Sequence, residues 1–150
     1  ETVTFHTEPE PITLNVRDFG AFGDGAHDDT SAIQAAILCC PKNARVLIPK
    51  GTYPVTALFL KSDMILELQE NAVLAGIYDR ARTPILPGQI EYDNEDGYYN
   101  LGSWEGNPID SFASMITGIH VKNVTICGKG VLLRIGGAVQ RTRFVPGDQE

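Results

Sequence analysis

The sequence is short of positive charge: 12 lysines and arginines stand against 19 aspartates and glutamates, a formal net charge of −7. Nucleic-acid and membrane-surface binders are normally basic, so both partner classes are disfavoured. Long apolar runs are missing, and no stretch approaches the ~20 residues that a membrane-spanning helix requires. Cysteine is scarce. Cys39, Cys40 and Cys127 form an odd set with two adjacent members, a poor disulfide framework. No C-x-x-C pair marks a structural zinc site. These thiols suit small buried positions in a reducing compartment. With no basic-then-apolar leader at the front, a cytoplasmic location is favoured over a secreted one. The sequon Asn123-Val124-Thr125 would matter only in an exported protein.

Catalytic constellations are equally scarce. His6, His27 and His120 have no serine or cysteine nucleophile at a recognisable spacing. Asp18, Asp24, Asp28 and Asp29 could offer oxygens to Ca²⁺, but no EF-hand pattern joins them and turn or cap roles explain them better. Neither a metal nor an organic cofactor is expected.

One stretch is dense in local information. Ile12, Leu14 and Val16 alternate as a strand, Gly20, Gly23 and Gly25 follow in a loop, and a helix is expected near residues 29–40. Ile33, Ala36, Ile37 and Cys40 fall on one face of that helix. The glycine spacing matches neither G-x-G-x-x-G nor a P-loop. Asp28 and Asp29 would also repel a phosphate from the positive helix end, so they are read as structural caps of the first turn.

The remainder reads as short strands rich in Val, Ile and Leu: residues 45–48, 55–61, 64–68, 72–75, 113–116, 119–126 and 131–133. Leu66 follows Leu47 by 19 residues, a plausible winding of a solenoid. A parallel solenoid explains such strands well, with a β-sandwich as the structural alternative. The lone helix would plug the open solenoid end, where apolar interior and strand edges need a cover. The chain then divides into an extended leader (1–11), windings (12–132) with an insertion at 77–112, and an atypical tail (133–150). The insertion lies in a stretch with no Lys or Arg between Arg82 and Lys122. There Tyr98, Tyr99 and Trp104 could present apolar faces to sugar C–H groups, and Glu105 and Asp110 could accept from hydroxyls. The alternative is a solvated loop with a few packed aromatics. Its acidity favours a neutral sugar over an anionic one at that spot.

These residues add up to a resemblance. Asn15 to Gln34 is similar to Asn-Val-x-Asp-Phe-Gly-Ala-x-Gly-Asp-Gly-x-x-Asp-Asp-Thr-x-Ala-Ile-Gln, found in pectin-degrading β-helix enzymes and phage tailspikes. The stretches 46–53, 60–76 and 123–131, with Trp104-Glu105-Gly106, resemble the front of polygalacturonases of glycoside hydrolase family 28, bacterial exo-acting members in particular. The resemblance implies an all-β fold, a right-handed parallel β-helix with one N-terminal capping helix. It also implies inverting hydrolysis of α-1,4-galacturonosyl bonds of pectin, by one carboxylic acid and one carboxylate base. A pectic oligo- or polysaccharide would be the partner of the intact parent. The family's Asn-Thr-Asp, Asp-Asp, Gly-His-Gly and Arg-Ile-Lys motifs are expected further along the β-helix, so no catalytic residue is carried over. Arg134-Ile135-Gly136 is not the last of these, and the family's Asp-Gly turn after Leu132 is replaced by Leu133-Arg134. The tail therefore suggests a truncated product with an altered reading frame. The alternatives are a non-catalytic carbohydrate-binding β-helix or a product without independent function, and an open β-helix end invites self-association.

Overall fold

The computed structural model describes residues 10–91, 97–134 and 143–146. Most of the expected leader, and most of the expected tail, lie outside the described residues. The described chain starts with β1 (Thr13–Asn15), a 3₁₀ turn over Val16–Phe19 and α1 (Thr30–Cys39). One winding follows: β2 (Ala44–Ile48), β3 (Gly51–Val55) and β4 (Leu58–Phe59). The next begins with β5 (Met64–Leu68) and β6 (Ala72–Gly76). Six short strands then intervene: β7 (Ile85–Leu86), β8 (Gln89–Glu91), β9 (Tyr98–Asn100), β10 (Ser103–Trp104), β11 (Asn107–Pro108) and β12 (Ser111–Phe112). β13 (Ile116–Val121) completes that winding. β14 (Val124–Gly128), β15 (Val131–Arg134) and β16 (Arg143–Pro146) form another.

Each winding places one strand in each of three parallel sheets, β1-β2-β5-β14, β3-β6-β15 and β4-β13-β16. The molecule is a right-handed parallel β-helix. Side chains alternate in and out along β2 and β5, so Val46, Ile48, Leu66 and Leu68 fill the interior. Ala44 pairs with Met64 and Met64 with Val124, intervals of 20 and 60 residues. The longer interval contains the antiparallel pairs β7–β12, β8–β9 and β10–β11.

The 19-residue spacing from Leu47 to Leu66 is not the stacking register. Leu66 pairs with Val46, whereas Leu47 pairs with Glu67. A one-residue slip would turn the interior face outward, and burial of Val46 and Leu66 forbids it. The strand expected over 55–61 is divided by a turn at Thr56 and Ala57. The break expected near 117–118 falls instead at Lys122-Asn123. Asn43, Asp63 and Asn123 share that corner, each with a left-handed φ of 58, 59 and 55°. Short polar side chains tolerate this region, and they stack here: Asn43 N–H donates to the Asp63 carbonyl, and Asn123 Nδ2 to Asp63 Oδ1. The boundary expected between 132 and 133 lies inside β15, and β16 extends the third sheet alongside β13.

At the N-terminal end three devices cover the three sheet edges. β1 pairs with β2. The loop before the helix lies along β3, with Thr52 N–H donating to the Gly23 carbonyl, Gly25 N–H to the Thr52 carbonyl and Asp29 N–H to the Pro54 carbonyl. α1 covers β4. Gln34 pairs with the Phe59 backbone, and Thr30 Oγ1 accepts from Thr56 N–H at 2.9 Å. Ile33, Ala36, Ile37 and Cys40 point into the interior and join one apolar cluster with Val46, Val55 and Leu66. Full burial of each isoleucine is worth about 1.5–3 kcal/mol.

Candidate functional site

The glycine loop and its aspartates form a structural knot. Asp29 stands at the helix N-cap position, yet its side chain makes no cap hydrogen bond. Its carboxylate turns back and accepts from the Phe22 and Gly23 N–H groups at 2.7 and 3.0 Å. The side-chain cap role read for Asp29 is therefore corrected: the loop's unpaired donors lie closer to its buried carboxylate than the helix N–H groups do. Asp28, one residue earlier, accepts from Thr30 N–H at 2.9 Å and also pairs with Arg82. Arg17 sends its guanidinium to the Phe22 and Lys50 carbonyls and lies 5.7 Å over the ring of Tyr53. Burial pushes the Tyr53 phenol up, against partial opposition from Arg17.

Asp24 accepts from the His27 and Ala26 N–H groups, and its second oxygen lies 2.6 Å from His27 Nδ1. The His27 and Ala26 backbone donors, with the His27 ring, hold its carboxyl well below the usual carboxylate range. His27 in turn stacks on Phe22, the one stacked ring pair among the described residues. Among those residues no group of three His, Cys, Asp or Glu side chains converges as a metal site.

The insertion presents its aromatics separately. Trp104 pairs with Asn107 across a two-residue turn, Glu105-Gly106, whose φ angles of 49 and 85° are both positive, as a type I′ hairpin requires. Trp104 is 70% exposed at that hairpin and Glu105 sits on its tip. Tyr98 and Tyr99 belong to a different hairpin, opposite Glu91 and Ile90, with Tyr98 54% exposed. Asp110 uses one carboxylate oxygen to accept from Gly88 N–H at 2.8 Å, which anchors the insertion.

Among the described residues a concavity also forms where the insertion leaves β6 and returns to β13. This cleft of about 150 Å³ is lined by Tyr78, Arg80, Phe112, Met115, Leu132 and Arg134 among others. Sequence reasoning missed it. Arg80 sits just before the base-free stretch, but its approach to Arg134 depends on the stacking of β15 on β6.

Three parallel sheets wound around one apolar interior, closed by a helix and a glycine-loop knot, define the class: a pectate-lyase-like parallel β-helix. Residues 13–126 match the family described as rhamnogalacturonase A/epimerase, pectate lyase-like, and the chain belongs to that family. It is 37% identical over 131 residues to an exo-poly-alpha-D-galacturonosidase of Dickeya chrysanthemi, covering 87% of this chain and 21% of the relative. It is 48% identical over 142 residues to plasmin and fibronectin-binding protein A of Streptococcus pneumoniae, covering 87% of this chain and 20% of the relative. The solved structure of the Yersinia enterocolitica family 28 exopolygalacturonase superposes with a TM-score of 0.68 at 38% identity, over 87% of this chain and 22% of that one. The chain thus spans about a fifth of the length of these relatives.

Proposed function

We propose that residues 1–150 are the N-terminal windings of a polygalacturonase-type glycoside hydrolase that cleaves α-1,4-galacturonosyl bonds of pectin with inversion. The observation that carries this is the 37% identity to the Dickeya exo-poly-alpha-D-galacturonosidase across 87% of the chain. An inverting glycosidase needs an acid and a base flanking the scissile bond. Asn-Thr-Asp, Gly-His-Gly and Arg-Ile-Lys do not occur in the sequence, and its one Asp-Asp pair is engaged structurally, Asp28 with Thr30 N–H at the helix start and Asp29 with the Phe22 and Gly23 N–H groups of the loop. The catalytic carboxylates therefore belong to windings outside these residues. A reducing-sugar assay of the purified 150-residue chain on polygalacturonate is expected to stay at the no-protein blank. Turnover above it would overturn this division of labour.

Tyr98, Tyr99, Trp104 and Glu105 are proposed to contact a neutral sugar, because the acidic insertion would repel an anionic one. Trp104 is the single tryptophan, so its fluorescence reports directly on oligosaccharide titrations. Silence across a sugar series would remove these residues from the contact surface. β14, β15 and β16 end their sheets among the described residues, and Val131, Leu132 and Leu133 are exposed there. The isolated chain is expected to self-associate through this end, and a sharply monomeric species in light scattering would contradict it.

A second reading, a β-helix that binds without cleaving, draws support from the 48% identity to plasmin and fibronectin-binding protein A. Saturable oligosaccharide binding by a longer form that shows no hydrolysis would favour it.

A further inference from the structure

A charged contact ties the insertion back to the N-terminal cap: the guanidinium of Arg82 pairs with Asp28 Oδ2. Both partners are ordered before they meet. Asp28 Oδ1 accepts from Thr30 N–H at 2.9 Å and from the Thr30 hydroxyl at 2.5 Å. That hydroxyl oxygen accepts in turn from Thr56 N–H at 2.9 Å, which joins the carboxylate to the turn between β3 and β4. Arg82 rides on a turn closed by Asp79. Ala81 N–H donates to Asp79 Oδ1 at 2.9 Å, and Thr83 N–H and Oγ1 donate to the Asp79 carbonyl at 2.9 and 2.8 Å. An ion pair between two free surface side chains is worth little, because ordering both ends costs entropy. Here the hydrogen-bonded turns have already ordered the backbone on each side. The Asp28 side chain is 27% exposed and that of Arg82 49%, so the pair is sheltered on one side and open to dissolved ions on the other.

From this we infer that Asp28 and Arg82 form an ionic strap, which holds the insertion against the cap and slackens in high salt. Just beyond Arg82 the outgoing and returning arms of the insertion are joined. Ala113 N–H donates to the Pro84 carbonyl at 2.8 Å, and β7 pairs with β12. A hold on Arg82 is therefore a hold on both arms, and on the Tyr98 and Trp104 hairpins that they carry. Thr56 and Thr83 both line the cleft beside β6, so the strap also sets how far the insertion stands from the turn after β3. No Lys or Arg follows Arg82 until Lys122, so the insertion has no second cation to offer Asp28 in its place. The strap does not rest on the hydrolase reading, since no substrate enters its test.

The test is amide hydrogen exchange of the 150-residue chain. Protection is read at Thr83 and Ala113, at the root of the insertion, and at Val46 and Leu66 in the windings. Arg82→Gln removes the charge, and protection at Thr83 and Ala113 should fall about two- to fivefold with Val46 and Leu66 unchanged. Asp28→Asn keeps an oxygen for Thr30 and should give the same fall. The double variant should lose no more than either single one, because both remove the same pair. Arg82→Lys keeps the charge and should lose less than Arg82→Gln. Raising the salt to about 1 M should lower protection at the two root amides of the parent chain and leave Arg82→Gln unaffected. Unchanged protection at Thr83 and Ala113 in Arg82→Gln would overturn the strap. So would additive losses in the double variant, equal losses at Val46 and Leu66, Arg82→Lys matching Arg82→Gln, or the same salt response in parent and Arg82→Gln chains.

Discussion

The carboxamide of Gln34 pairs with both backbone groups of Phe59: Phe59 N–H donates to Oε1 at 2.8 Å, and Nε2 donates to the Phe59 carbonyl at 2.9 Å. A helix side chain thereby imitates a neighbouring strand and covers the first edge of the third sheet. Gln34→Ala would leave that edge pairing unmade at a half-buried site, a loss of about 1–3 kcal/mol. Gln34→Glu keeps the acceptor and loses the donor, so it should leave the Phe59 carbonyl unpaired. Urea unfolding of the two variants checks the pairing. An unchanged midpoint for Gln34→Ala would show that the amide contributes nothing to the seal.

Gly23 lies flat on the buried ring of Tyr53. A Cβ there would stand 2.6 Å from Tyr53 Cζ, at a φ of +61°. Gly20 also has a positive φ, +94°, but a Cβ added there meets nothing within 4 Å. Both alanine variants bear the backbone cost of about 1–2 kcal/mol, and only Gly23→Ala adds steric overlap. Thermal melts should therefore rank Gly23→Ala well below Gly20→Ala. Equal losses would mean that overlap with the ring is relieved without cost.

Asp24 has a folded-state carboxyl held below its ordinary value by the His27 and Ala26 N–H donors. Between the two values the unfolded chain binds more protons than the folded one, so stability rises with pH across that window. The contribution is complete above the ordinary carboxylate value of about 4 and is lost as pH falls towards the depressed one. Asp24→Asn keeps an acceptor for both N–H groups and does not titrate. Its urea midpoint should fall less steeply below about pH 4 than that of the parent chain. Parallel acid profiles would show that Asp24 has no part in the slope.

The three thiols differ in reach. Cys39 and Cys127 are exposed and Cys40 is buried. Burial pushes the Cys40 thiol up, with Lys61 opposing in part. A colourimetric disulfide reagent at neutral pH should label two thiols quickly and the third only on unfolding. Fast labelling of all three would mean that the helix end opens readily.

The contrast between Asp29 and Gln34 shows how much of the cap was legible. Helical spacing of Ile33, Ala36, Ile37 and Cys40 placed the helix and its inward face, because amphipathic period is a local property of the chain. The use of Asp29 was not legible. A buried aspartate before a helix is ordinarily a cap, and its capture by the Phe22 and Gly23 N–H groups depends on how the loop folds back. Gln34 reads locally as one more polar helix position, and its partner is 25 residues away. Among the site candidates, Trp104 and Tyr98 were singled out by residue type in the stretch without Lys or Arg. The Arg80–Arg134 cleft was not, because the stacking of β15 on β6 joins residues distant in sequence.

The sequence by itself determined short alternating strands and an amphipathic helix, because both patterns are written in neighbouring positions. It left a β-sandwich open beside the solenoid until the likeness to a family's opening stretch implied the parallel β-helix, and its 19-residue spacing fell one residue short of the 20-residue register. Tertiary structure decided that last residue. It stacked Val46 on Leu66, with left-handed Asn43, Asp63 and Asn123 at the shared corner, and so chose which face of every strand is interior. It also brought two arginines to one cleft in an acidic chain. Register and convergence depend on contacts between windings 20 to 60 residues apart, and these form only when the solenoid closes on itself.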